Sequence, residues 1–131
     1  MEYTIQEVCA RLGLTVHTVR YYCDKGLVPN LRRDRHGNRL FDEQAINWLQ
    51  AAVFLRNSGL SVAEVQHYFS LCQKGSATIP ERYAILSTLQ QKTEQEEQAL
   101  RERLDCISRK VLHYQDILDG RCADDCNPLN W

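Results

Sequence analysis

Ile5, Val8, Cys9 and Leu12 fall at i, i+3, i+4 and i+7, the spacing that gathers side chains on one face of an α-helix. Thr4 stands three residues before Glu7, a capping-box pair that marks the start of that helix, and Gly13 supplies its stop. Thr15 opens a second short helix in which Val16, Val19 and Cys23 face one way, and Gly26 closes it. Two short helices joined by so tight a turn predict a helix-turn-helix. In the next stretch, "LVPNLRRDRHGNRLFD", Pro29 disfavours helix and Gly37-Asn38 is a turn dipeptide. It reads as a β-hairpin with arginines on its arms and tip. Asp42 caps a third helix with Ile46, Leu49, Val53 and Phe54 inward, ending at Gly59. Ser61 and Glu64 repeat the capping box, opening a fourth helix with Val62, Val65, Phe69 and Cys72 on one face, closed by Gly75.

From Pro80 to Asp119 there is neither glycine nor a further proline. Leu100, Leu104, Ile107, Val111, Tyr114 and Leu118 recur at spacings of 4, 3, 4, 3 and 4, a coiled-coil seam. The same register runs back through Glu97, Thr93, Gln90, Leu86, Tyr83 and Ile79, so the middle of the seam is polar and both ends are apolar. At 1.5 Å per residue such a helix is about 60 Å long, too long to pack fully on a small domain. Its narrow stripe calls for a partner, and an antiparallel homodimer lets each helix end cover the other protomer. The chain therefore divides into a winged helix-turn-helix unit at 1–75, a dimerisation helix at 76–119 and a tail at 120–131. The expected fold is mainly α, with a two-stranded wing and a long antiparallel coiled-coil dimerisation helix.

Composition adds little until it is localised. Hydrophobic residues make up 44%, charged residues 25%, and the net charge of −1 gives no global sign of a nucleic-acid partner. Between Leu31 and Arg39, however, Arg32, Arg33, Arg35, Arg39 and His36 face the single acid Asp34, while from Ser61 onward 11 acids outnumber 8 lysines and arginines. "MEYTIQEV" has neither a basic nor an apolar segment of a signal peptide, and no apolar run approaches the ~18 residues of a membrane span. A cytoplasmic protein without a membrane partner is expected. In that compartment six cysteines read as free thiols, metal ligands or redox centres.

The order of parts, with "YTIQEVCARLGLTVHTVRYYCDKGL", "RLFDEQAINWLQ" and "LRNSGLSVAEVQ", resembles the MerR family of bacterial transcription regulators over nearly the whole chain. The long helix is similar to that of the shorter members, which lack a large ligand-binding domain. An architectural protein of the excisionase kind shares the winged unit but usually lacks such a helix. A dithiol oxidoreductase would need a thioredoxin-like βαβ context that the sequence does not offer, and no nucleotide-binding glycine loop is present, so no enzyme is expected.

For a recognition helix in the major groove of double-stranded DNA, the face opposite Val16, Val19 and Cys23 carries His17, Thr18, Arg20 and Tyr21, with Thr15 at its head. Arg20 can grip guanine or a phosphate. By resemblance at least one of Tyr21 and Tyr22 reaches the backbone, Tyr22 reading equally as half-buried packing. Arg32, Arg33, Arg35 and above all Arg39 of the wing, with Arg56 after the third helix, are phosphate-contact candidates. The resemblance further implies a near-palindromic operator, RNA polymerase at the promoter, and a switch that works by distorting DNA. Activation and repression stay equally open.

Cys9, Cys23 and Cys72 lie on apolar faces and read as small hydrophobes; Cys106 falls off the seam. Cys122 and Cys126 follow the long helix, where metal-sensing members carry a loop with two ligand cysteines. Those loops space their cysteines more widely. The mercury and zinc types add a cysteine at the start of the long helix, where this chain has Ser76, Ala77 and Thr78. A two-coordinate thiophilic metal ion at Cys122 and Cys126, thiol redox or electrophile sensing, a disulfide between them, and an organic effector bound elsewhere all stay open. No cofactor is fixed by the sequence.

Overall fold

The computed structural model describes residues 1–129, so the last two positions of the 120–131 tail lie outside the described residues. Helices α1 (Ile5–Leu12) and α2 (Val16–Asp24) are followed by strands β1 (Arg32–Arg33) and β2 (Arg39–Leu40), then α3 (Glu43–Asn57), α4 (Val62–Lys74), a 3₁₀ turn (Ser76–Thr78) and α5 (Ile79–Leu118). Both capping boxes form: Thr4 and Ser61 accept from the backbone N–H of Glu7 and Glu64, whose carboxylates reach back to the cap N–H. These exchanges satisfy donors that a helix start otherwise leaves without partners. Gly13, at φ 68°, ends α1 in the left-handed region that glycine enters without penalty.

The wing pairs antiparallel with Arg32 opposite Leu40 and Arg33 opposite Arg39. The N-terminal segment lengthens this small sheet in a way the sequence did not signal. Tyr3 and Phe41 exchange two backbone hydrogen bonds of 2.7 and 2.9 Å. Phe41 is thereby fully buried, in a core with Val8, Val19, Leu27, Ile46, Leu49 and Val65. On the surface above it, Arg11 donates to both Glu43 carboxylate oxygens at 2.9 and 3.0 Å, and the Tyr3 hydroxyl donates to the same group at 3.1 Å. This cluster ties α1 and the N-terminal segment to α3.

Phe54 departs from its expected inward position: it is 67% exposed. The buried positions of α3 are Ala45, Ile46, Leu49, Ala52 and Leu55. Phe54 lies five residues after Leu49, about 140° around the helix, and so points off that face. It borders a shallow recess with Leu12, Leu14 and Val53.

The chain divides into two compact units, Met1–Leu89 and Gln90–Trp131. The first extends past Gly75, where the sequence pattern places a boundary, because Leu89 in the first turns of α5 still packs on the core. The turn from α4 into α5 is held by Thr78, whose hydroxyl lies 2.6 Å from the Leu71 carbonyl and 2.8 Å from that of Gly75, and by Arg82, which donates to Gly75 O and Thr78 Oγ1 at 3.0 Å each. Along all of α5 no residue is buried. The seam side chains Leu86, Leu100, Leu104, Ile107, Val111, Tyr114 and Leu118 are all exposed, from 39% at Leu86 to 81% at Leu118. No described helix is long and apolar enough to cross a membrane.

Candidate nucleic-acid interface

Helix α2 begins at Thr15, whose hydroxyl accepts from the Thr18 N–H at 3.1 Å and is 2.9 Å from the Thr18 hydroxyl. The two threonines thus serve the helix start, and Thr15 is still solvent-exposed. His17, Arg20 and Tyr21 are exposed on the same helix while Val19 is fully buried, as the apolar spacing requires. Lys25 lies 5.7 Å from the centre of the Tyr21 ring, adding positive charge beside it.

Tyr22 packs its ring inward. It is 9% exposed and belongs to the core cluster. It follows Val19 by three positions, so its ring points down the helix face that meets the core. Cys23 packs partly against the same core. Burial is the main influence raising its thiol, with Asp24 adding to the effect and Arg39 and Arg33 opposing it.

The wing brings its arginines to different tasks. Asp34 shapes the tip by accepting from the His36 and Asn38 backbone N–H groups at 2.8 and 2.9 Å, which holds its carboxyl below the usual range. Arg33 donates to the Gly37 carbonyl at 2.6 Å. Arg32 is exposed and ion-paired with Glu2 at 3.1 Å. Arg35 and His36 are exposed at the tip. Arg39 is ion-paired with Asp24, the last residue of α2, and its side chain is only 18% exposed.

Arg20 of α2, Arg33 and Arg39 of the wing and Gln6 of α1 converge on one cleft of about 260 Å³. Asp34 lines the same cleft, so three arginines stand there against one acid, and arginine presents donors in a fork that matches phosphate. Sequence reasoning named these arginines but missed Gln6 and Asp24, which carry no periodic or compositional signal. Arg56 sits apart from the cleft. It is half-buried and donates to the Leu60 carbonyl at 2.9 Å across the turn from α3 to α4, while its Nε is buried without a partner among the described residues.

Cys122 and Cys126 are exposed in the tail. Asp124 accepts from the Cys126 backbone N–H at 2.9 Å and lies 3.4 Å from its sulfur. That contact and the carboxylate charge push the Cys126 thiol up, which disfavours the thiolate form needed for nucleophilic attack and for metal ligation alike. Among the described residues no three His, Cys, Asp or Glu groups come together in a way that could hold a metal ion.

Residues 3–72 match the family model described as MerR HTH family regulatory protein. An HTH-type transcriptional regulator of Haemophilus influenzae is 30% identical over 115 residues, spanning 88% of this chain and 85% of that protein. The HTH-type transcriptional regulator AdhR of Bacillus subtilis is 36% identical over 88 residues, spanning 67% of this chain and 63% of AdhR. Among solved structures, HiNmlR, a MerR family regulator lacking the sensor domain and bound to promoter DNA, superposes with a TM-score of 0.78 at 28% identity, over 91% of this chain and 94% of that one.

Proposed function

The chain belongs to the MerR family of helix-turn-helix regulatory proteins, and from that premise we propose that it acts as a homodimer that binds a near-palindromic operator and switches the promoter there by distorting the DNA. The observation that carries the reading is the Arg20, Arg33 and Arg39 cleft beside the exposed face of α2. With α2 in the major groove, His17 is the side chain free to meet base edges. The cleft takes a backbone phosphate, and Arg32 and Arg35 extend the same grip along the strand. Bending a site of this kind costs about 1–6 kcal/mol, which binding contacts must offset. RNA polymerase is the partner such a distorted promoter serves.

The dimer follows from α5. Its seam positions, 79, 83, 86, 90, 93 and 97 and then 100, 104, 107, 111, 114 and 118, read with the same spacing from either end. An antiparallel pair centred between Gln98 and Ala99 sets Ile79 against Leu118, Tyr83 against Tyr114 and Leu86 against Val111. Apolar ends meet apolar ends and the polar middle of the seam meets itself.

The effector is read at the tail. Cys122 and Cys126 do not fit a three-ligand metal centre within one chain. A two-coordinate thiophilic ion held by this pair is the reading their chemistry supports, since soft thiolates suit such ions. Selection of bound sequences from a random duplex pool tests both levels. The wild-type chain is expected to enrich an inverted repeat, and Cys122→Ser/Cys126→Ser the same repeat, with any change confined to its response to added thiophilic ions. Recovery of no common sequence would remove the operator-binding reading, and a full ion response in the double variant would remove the tail as sensor.

A further inference from the structure

Arg39 is the most enclosed of the three cleft arginines and the one with an acid already on it. Its side chain is 18% exposed, while that of its partner Asp24 is 64% exposed. Asp24 is the only acid in α2 and stands at the helix C-terminus, where the macrodipole disfavours negative charge. Among the described residues its charged partner is Arg39 alone. Arg39 thus has a fixed position on the cleft wall, and its counter-charge is free to swing into solvent. A carboxylate on a guanidinium has the charge sign of a phosphate on a guanidinium, and here it engages Arg39 through Nη2.

We propose that Asp24 is an internal stand-in for a DNA phosphate, holding Arg39 in the free protein and giving it up when duplex DNA enters the cleft. This rests on the reading of the cleft as a phosphate site and adds a regulation of its strength. A phosphate that approaches Arg39 meets a guanidinium already paired with Asp24, so part of the Coulomb attraction is cancelled. The Arg39–Asp24 pair also carries no net charge, so it adds less to the salt-dependent attraction than a lone guanidinium does. The pair would act as a brake on non-specific binding, because the gain from any backbone phosphate is reduced whatever the sequence.

The test titrates a labelled mixed-sequence DNA duplex across a range of salt with the wild-type chain, Asp24→Asn, Asp24→Ser, Arg39→Gln and the double variant Asp24→Asn/Arg39→Gln, each checked for an unchanged thermal transition. Asp24→Asn and Asp24→Ser are expected to bind about fivefold more tightly at low salt, in line with the strength of an exposed ion pair. Their log–log salt slope steepens, because the unpaired guanidinium adds net positive charge to the binding face. In the Arg39→Gln background the Asn substitution changes nothing, because the carboxylate acts through that arginine. Weaker or unchanged binding by Asp24→Asn would overturn the proposal, making Asp24 a buttress for Arg39. A gain that persists without Arg39 would also overturn it, reducing the effect to general loss of negative charge. A wild-type chain that binds no duplex at any salt overturns the phosphate reading of the cleft itself.

Discussion

Val111→Glu is expected to convert the dimer to monomers and to abolish tight operator binding, while each monomer keeps a folded N-terminal unit. Val111 is 60% exposed in the single chain and none of α5 is buried, so the substitution does not touch a core that the monomer needs. In the antiparallel pair it meets Leu86 of the partner, and symmetry repeats the contact at the other end. Burial of each apolar side chain contributes about 1.5–3 kcal/mol, so two lost contacts weaken the dimer by at least about a hundredfold. Desolvating two glutamates adds to that. Sedimentation measures the mass, and far-ultraviolet circular dichroism the retained helix. Leu86→Glu is expected to do the same, and the two changes together little more, because they spoil one contact. A Val111→Glu chain that stays dimeric at micromolar concentration would contradict the pairing.

Arg20→Ala carries the second large effect. Arg20 is exposed and lines the cleft with Arg33 and Arg39, so its loss removes a charged hydrogen-bond donor to a phosphate in each half-site. Such bonds contribute about 1.5–3 kcal/mol each, so binding falls by about a hundredfold or more across the dimer. The salt slope becomes shallower by about 1.8, at ~0.9 for each phosphate no longer neutralised. Sequence preference is expected to hold, because a phosphate contact positions the protein without reading bases. Altered preference at one base pair with an unchanged slope would instead place Arg20 on a guanine edge. His17→Ala is the counterpart that relaxes preference.

What was legible in the sequence is what local physics writes there. Thr4 with Glu7, Ser61 with Glu64, and Gly13 each act within a helical turn, so their residue types alone announced the element ends. The 3.6-residue repeat gave the buried faces, and the seam along 79–118 could be read because a coiled coil repeats its demand every few residues. The misses are contacts between distant positions. Tyr3 pairs with Phe41, Asp24 with Arg39, and Arg56 with the Leu60 carbonyl, each chosen by how the elements pack. Phe54 was drawn inward by its hydrophobicity, yet the α3 face it would need is already filled by smaller residues. Tyr22 and Arg39 show the same limit from the other side. Both are residue types that suit a DNA contact, and residue type alone announced neither the burial of the first nor the ion pair on the second.

The central claim is that two copies of α2 and its wing engage one duplex symmetrically, with phosphates in the arginine clefts. Hydroxyl-radical footprinting of the complex on a selected operator tests it most directly. The account predicts protected backbone patches on both strands, related by a dyad and separated by one helical turn or a multiple of it, with one patch in each half-site lost in Arg20→Ala. Protection on one side of the site only, or a footprint that Arg20→Ala leaves unchanged, would contradict it.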